Sequence, residues 1–296
     1  MRKIKEIILA ATAGIIGIGL FGSMVYAFTL GPGYLQIEKN NRKWAVTKRI
    51  EDRDHIEQSQ LRLVGQTTDG RSLYFKEMFP ERNWVEKFTI KDRRGGSIEY
   101  DIGREYGAIA FTFKDMSKDL AKVVLEGSGN YYLFDVEKEE VRGLVKNNFN
   151  HCSFSKAESI SASAAYKGMS DNGEKIVFDA WISSLWDGEL NREVYMFDVE
   201  KDKLKNISDN SAKDEGSVIS RDGKVILFLS DRNKRVELFV YNTQSGIIKV
   251  LGDISTTSIH DVKDLKISPD NQEITWKIKD SVWQHKVDNK LEDLVK

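Results

Sequence analysis

A short phrase recurs along this chain, and it limits the possible folds more than any other feature. Ser220-Arg221-Asp222-Gly223-Lys224-Val225-Ile226-Leu227-Phe228 is one copy, and Ser170-Asp171-Asn172-Gly173-Glu174-Lys175-Ile176-Val177-Phe178 is another. Thr68-Asp69-Gly70-Arg71-Ser72-Leu73-Tyr74-Phe75 and Ser268-Pro269-Asp270-Asn271-Gln272-Glu273-Ile274-Thr275-Trp276 are two more, and a worn copy starts at Ser117-Lys118-Asp119. Gly173 to Gly223 and Asp69 to Asp119 each step 50 residues, and Asp222 to Asp270 steps 48. Asp-Gly and Asn-Gly favour positive φ and close tight hairpins. The apolar run after each turn suits a strand buried on both faces.

A second phrase keeps step with the first. Tyr132-Leu133-Phe134-Asp135-Val136-Glu137-Lys138 parallels Tyr195-Met196-Phe197-Asp198-Val199-Glu200-Lys201. Phe88 to Asp92, Leu238 to Thr243 and Val282 to Asp288 fill the same slot. A polar turn and one more short strand follow each, ending with Leu291-Glu292-Asp293-Leu294-Val295. Each unit reads as strand, Asp-Gly turn, strand, loop, strand, polar turn, strand. Four-stranded units at this period predict an all-β fold, a β-propeller.

Ser220 to Arg232, followed by Glu237-Leu238-Phe239-Val240-Tyr241-Asn242, resembles the TolB-type (PD40, WD40-like) propeller repeat. That repeat has a Ser-Pro-Asp-Gly turn, an apolar strand, Ser-Asp-Arg, then an acidic residue leading an aromatic strand. Ser268-Pro269-Asp270 keeps the proline, while the Asp119 unit lacks the glycine and the Ser-Asp-Arg. The resemblance covers residues 57–296 and speaks for the fold and hardly for activity, since such repeats serve in transport scaffolds, peptidase gates and some lyases. Five units begin near Leu61, Ala108, Ile160, Gly216 and Asp261. Two candidate strands precede them, Leu35-Gln36-Ile37-Glu38 and Lys43-Trp44-Ala45-Val46-Thr47, within a linker and closing hairpin over residues 31–56. The expectation is a five-bladed ring with this hairpin closing it against the last unit. A six-bladed ring with an incomplete blade is the alternative.

Residues 1–30 read as a membrane segment. Arg2, Lys3 and Lys5 precede an uncharged run from Ile7 to Leu30. As a helix that run crosses a hydrocarbon core of about 30 Å, and Gly31-Pro32-Gly33 stops it. The basic start orients the body away from the cytoplasm. Val25-Tyr26-Ala27 also fits a small-x-small cleavage site, so secretion after cleavage following Ala27 is the alternative to a single-pass anchor.

The net charge of -1, from 45 basic and 46 acidic side chains, gives no general attraction to nucleic acid. The single cysteine, Cys152, excludes an intrachain disulfide. Beside His151 it lacks any surrounding motif for a nucleophile. His151, His260, Asp209 and Asp214 fall in blade-to-blade loops, yet no His-x-x-x-His or calcium-loop spacing occurs, so no metal or cofactor is expected.

Two second-to-third-strand connections are unusually long and aromatic, Met78 to Trp84 and Ala180 to Asn191. Their Trp84, Trp181 and Trp186, with Asp187, are the candidate binding residues, because indoles beside carboxylates suit a protein anchor or sugar stacking. The functional expectation is a non-enzymatic, membrane-tethered, extracytoplasmic binding or scaffold propeller for a protein or envelope glycan. The alternative is a metal-assisted polysaccharide lyase or hydrolase working in the channel.

Overall fold

The structure, a computed structural model, describes residues 43–45, 47–51, 61–79, 84–92, 94, 96–101, 111–127, 129–145, 163–183, 190–254, 256–287 and 290–295. The segment expected to enter the membrane and the candidate strand at 35–38 lie outside them. No helix among the described residues is long and apolar enough to cross a membrane. The chain divides into two compact units, one of residues 1–66, 70–112 and 139–142, the other of residues 67–69, 113–138 and 143–296.

In the first unit, β1 (Lys43–Ala45) and β2 (Thr47–Glu51) precede the antiparallel run β3 (Leu61–Gln66), β4 (Ser72–Phe79), β5 (Trp84–Lys91) and β6 (Ser97–Asp101). Leu73, Phe75, Ile90 and Tyr100 are buried there. β2 pairs with β6, and β1 pairs with residues 140–142. Of the hairpin expected to close against the last repeat, the strand at 35–38 lies outside the described residues, and residues 43–51 pair within the first unit, with residues 140–142 and with β6.

The second unit holds β7 (Phe111–Met116) from its third residue on, β8 (Lys122–Gly127), β9 (Asn130–Asp135) and the end of β10 (Glu140–Val145). Next come two four-stranded antiparallel sheets. The first is β11 (Ser163–Met169), β12 (Lys175–Ser183), β13 (Leu190–Asp198) and β14 (Lys203–Asn206). The second is β15 (Asp214–Ile219), β16 (Val225–Ser230), β17 (Glu237–Asn242) and β18 (Ile248–Asp253). The last sheet has three strands, β19 (Val262–Ile267), β20 (Glu273–Ile278) and β21 (Ser281–Lys286).

Strand β16 shows why the apolar runs are continuous. All six of its residues are buried. Val225, Leu227 and Leu229 join Leu265, Ile274 and Trp276 of the following sheet. Ile226 and Phe228, on the opposite face, join Val177, Val194 and Met196 of the preceding sheet. Ile176, Phe178 and Ala180 of β12 likewise meet Val124 and Leu133. Alternate residues point to opposite faces, so a strand packed between two sheets needs apolar residues at every position. Each buried side chain of this size contributes about 1.5–3 kcal/mol.

The repeated turn is a hydrogen-bonded device. Ser220 Oγ donates to Asp222 Oδ1 at 2.7 Å and accepts from the Val225 N–H at 3.1 Å. Ser117 does the same with Asp119 and Lys122, Ser170 with Asn172 and Lys175, and Ser268 with Asp270 and Glu273. Thr67 Oγ1 donates to Asp69 in the first copy. Gly173 and Gly223 take φ of 70° and 72°, and a Cβ on Gly173 would lie 2.6 Å from Lys122 Cγ. In the worn copy Leu120 occupies that left-handed position at φ 58°.

The second phrase is also structural. Asp135 and Asp198 each take a lysine from the start of the neighbouring strand, Lys122 and Lys175, both at 2.8 Å. Each also accepts the backbone N–H three residues on, from Lys138 and Lys201, at 3.1 Å. Leu291–Val295, expected as a fourth strand of the last sheet, is a 3-10 turn with Leu291 and Val295 fully buried. Glu292 there accepts from Lys224 Nζ at 3.0 Å and from Asn271 Nδ2 at 3.2 Å.

Ser220→Ala leaves a buried N–H without its acceptor and should cost about 2 kcal/mol in urea unfolding. Ser268→Ala, at a less buried copy of the turn, should cost less than half of that.

Candidate functional site

Turns between first and second strands lie at one end of each sheet. Tips between second and third strands lie at the other end, together with the blade-to-blade connections. That second end of the second unit departs most from the repeat. Strands β12 and β13 pair from Lys175↔Asp198 to Ser183↔Leu190, nine rungs. The equivalent strands β16 and β17 pair over six, from Val225↔Asn242 to Ser230↔Glu237. The stretch read from sequence as a long loop after Ala180 thus begins and ends as an extended ladder, with residues 184–189 outside the described residues. Trp181 lies in β12 opposite Arg192, on the first rung beyond the shared six. In the first unit Met78 and Phe79 lie in β4, and Trp84 opens β5 opposite Phe79. Trp186, Asp187, His151 and Cys152 lie outside the described residues.

Beneath the extended hairpin runs a chain of ionic contacts that links three successive sheets. Lys167 Nζ of β11 meets Asp179 of β12 at 3.0 Å. Asp179 also accepts from the Gly216 N–H at 2.7 Å and the Ser217 hydroxyl at 2.5 Å, both on β15. Arg192 of β13 pairs with Glu215 of β15. Glu215 Oε1 is buried, and its polar neighbour is His260 Nδ1 at 3.2 Å, in the 3-10 turn Ile259–Asp261 that leads into β19.

A second cluster adjoins it. Glu193 accepts from Asn191 Nδ2 at 2.6 Å, from the Asn210 N–H at 3.3 Å and from Ser208 Oγ. Asn210 also donates to Asp214, which is fully buried and takes Arg232 Nη2 at 3.1 Å. The Arg232 guanidinium lies over the Phe239 ring, 4.2 Å from its centroid. Glu193 and Glu237 hold equivalent positions, six rungs from the turn. They are the acidic residues that lead the aromatic strands, and both are buried with donors supplied.

Of the loop residues read from sequence, Asp209 is exposed, Asp214 is committed to Arg232, and His260 to Glu215. No group of three His, Cys, Asp or Glu side chains among the described residues is placed to hold a metal ion. The reading of the sequence missed Asp179, Arg192, Glu193 and Glu215. A lone acid inside the apolar run Ile176-Val177-Phe178-Asp179-Ala180 was the available signal, because a buried carboxylate requires partners.

Two kinds of carboxylate coexist. Burial pushes the Glu193 carboxyl up, and the nearby Asp214 adds to this against the bond from Ser208. Burial also raises Asp214, against Ser230 and Arg232. At Asp198 burial acts the same way but is outweighed by Lys175 and Lys201, so that carboxyl lies below the ordinary range.

No family model matches the sequence. The chain is similar in structure to a TolB from Agrobacterium tumefaciens, at 14% identity and a TM-score of 0.43, over 76% of each chain. TolB from Acinetobacter baumannii matches at 19% identity and TM-score 0.42, over 77% of this chain and 53% of that one. The tricorn protease matches at 11% and 0.42, over 76% of this chain and 29% of that one. The chain thus spans about half the length of the Acinetobacter TolB and under a third of the tricorn protease. The described residues are all-β, and their four-stranded antiparallel sheets in sequential strand order, with the turn repeated between first and second strands, match the blades of a β-propeller.

Carboxylates with lowered pKa contribute stability that is present above about pH 4 and lost as pH falls through the lowered folded value. Raised ones contribute stability that is present below about pH 4 and lost as pH rises through the raised folded value. Asp198→Asn should therefore fall furthest behind the natural protein at neutral pH, with the gap narrowing on acidification. Glu193→Gln should gain on it between pH 4 and 7. Urea midpoints measured across that range check both signs.

Proposed function

We propose that this chain is a membrane-tethered, extracytoplasmic binding propeller of five blades, working as a scaffold for a protein partner. The β12–β13 hairpin carries the reading. It runs three rungs past its neighbour in the next sheet and puts Trp181 and Arg192 on the first of them. A ladder is a stiffer support for an aromatic anchor than a free loop, and anchors held rigid lose less entropy on binding. The ionic chain below it ties that hairpin to β15 and the 3-10 turn before β19. Its carboxylates are supplied with donors, as suits a frame more than a set of reacting groups. The tether is carried by the uncharged run Ile7 to Leu30 behind Arg2, Lys3 and Lys5.

A photo-crosslinking residue at position 186, used in intact cells, should capture discrete protein adducts that the same residue at Lys118, on the turn-bearing end, does not. Trp181→Ala should reduce that capture at least several-fold. Equal capture at both ends, or adducts with glycan alone, would remove the protein-scaffold reading. Independently, the mature chain should remain in carbonate-washed membranes. A soluble form starting at Phe28 would end the tether.

A further inference from the structure

One copy of the repeated turn carries an amide where the others carry an acid. The residue bonded by the turn serine is Asp119, Asp222 and Asp270 in three copies, and Asp69 takes that place with Thr67 in the first. In the β11–β12 turn it is Asn172, bonded by Ser170. The flanking charges change in step. Asp222 has Arg221 before it and Lys224 two residues on, whereas Asn172 has Asp171 before it and Glu174 two residues on. A third carboxylate there would be repelled from both sides, so a neutral amide suits this copy. It also brings a chemical weakness. Asn172 is followed by Gly173, the chain's single Asn-Gly pair. Glycine has no side chain to hinder attack by its nitrogen on the preceding side-chain amide.

Ring closure at this pair would join the Gly173 nitrogen to Asn172 Cγ. The turn treats the two groups in opposite ways. Asn172 Oδ1, where negative charge grows during attack, accepts from Ser170 Oγ at 2.7 Å and from the Glu174 N–H at 3.1 Å. Donors aimed at such an oxygen favour attack. The nucleophile, however, is withheld. The Gly173 N–H donates to the Ser170 carbonyl at 2.8 Å. Gly173 is buried at φ 70°, and a Cβ on it would lie 2.6 Å from Lys122 Cγ and 3.1 Å from Ser117 Cβ. The nitrogen attacks only after losing its proton to a base. A buried, hydrogen-bonded N–H gives up its proton when the structure around it opens. The Asn172 side chain itself is exposed, so water and base reach the site as soon as the turn lets go.

We infer that Asn172 is a site of spontaneous deamidation, closed while the β11–β12 turn is folded and opened by its local unfolding. The step balances with water as the only co-reactant. A bond forms between the Gly173 nitrogen and Asn172 Cγ, and the Cγ–Nδ2 bond breaks. Nδ2 leaves as ammonia with the proton from the Gly173 nitrogen, and a cyclic imide remains. Water then adds to one of its two carbonyls. Opening at Cγ gives aspartate, and opening at the main-chain carbonyl gives isoaspartate. Aspartate keeps an Oδ1 for Ser170 and Glu174, as Asp222 does for Ser220 and Lys224 at 2.7 and 3.1 Å. Isoaspartate adds a methylene to the main chain inside the turn, so the bond from Gly173 to Ser170 loses its register. Asp69-Gly70 and Asp222-Gly223 share the glycine, but a carboxylate ionised at neutral pH resists a nitrogen nucleophile. The site lies at the turn-bearing end of its sheet, away from the β12–β13 tip, so this inference and the binding reading fail separately.

The test incubates the full chain in detergent at mildly alkaline pH, with and without urea. Residue 172 is followed by peptide mass spectrometry that separates aspartate from isoaspartate. Both products should accumulate in unfolding urea. In the native protein they should form at least about tenfold more slowly, because only the opened fraction reacts. Ser170→Ala removes the hydroxyl that seals the turn and should raise the native rate several-fold. Ser268→Ala, in the turn of the last sheet, should leave it unchanged. Where Ser170→Ala does not fold, the natural protein below its unfolding midpoint carries the same test, with a rate that climbs with urea as the turn opens. Three results would each overturn the proposal: equal rates in native and unfolded chains, aspartate formed without isoaspartate, or an effect of Ser268→Ala as large as that of Ser170→Ala. The second would remove the imide, and the third would remove the local gate.

Discussion

Hydrophobic packing between sheets is strong but non-directional, so stacked sheets of similar strands need something else to fix their relative height. Here it is the serine turn. Each copy seals itself through one hydroxyl that donates to an Asp or Asn and accepts from the next strand's first N–H. The copies are also joined in series. The Lys118 N–H donates to the Asp171 carbonyl and the Asp171 N–H to the Arg221 carbonyl, each at 2.7 Å. Asn271 Nδ2 continues the series to Asp222 at 3.0 Å. A Cβ on Gly223 would lie 3.0 Å from the Ser170 Cβ, so the close approach of one turn to the next needs the glycine. With the turn end locked, the opposite end is free to vary, and there the hairpins differ in length.

The two repeated phrases were legible because each is a local device reused at one period. Their residues contact one another or the adjacent copy, so similarity in sequence reports similarity in contacts. Leu291–Val295 was misread for the opposite reason. Its slot in the repeat predicted a strand, whereas Leu291 and Leu294, three residues apart, share one side of a 3-10 turn and pack with Val295 against the core. Position in the repeat outweighed the local pattern in the reading, and the local pattern won in the fold. The stretch after Ala180 was read as loop because its tryptophans and polar residues break the apolar run. Yet paired strands beyond a sandwiched sheet need no apolar residue at each position, since the ladder there is held by main-chain bonds.

The ionic chain was illegible for a different reason. Asp179 bonds to Gly216 and Ser217, and Glu215 to Arg192 and His260. No spacing rule connects residues so far apart in sequence, and acids such as Asp209 and Asp214 are common in and beside loops whatever their role. A charged residue inside an apolar strand is the better guide, since its burial costs several kcal/mol unless partners are supplied from elsewhere.

The way those partners are supplied follows from a slot that the repeat keeps while its chemistry changes. The fifth residue of the second strand is Glu126, Asp179, Leu229 and Lys277 in successive sheets. It meets the first strand of its own sheet as Lys114–Glu126 and Lys167–Asp179, then with the signs reversed as Asp264–Lys277. In the sheet between, Leu229 faces Gly216, where a Cβ would come within 3.1 Å of the leucine and φ is 70°. A lysine like Lys167 does not fit there. The bare Gly216 N–H turns to the preceding sheet instead and is accepted by Asp179. Where the other sheets place an ion pair, this one places leucine against glycine, and the main-chain N–H of that glycine joins it to the carboxylate of the preceding sheet's ion pair.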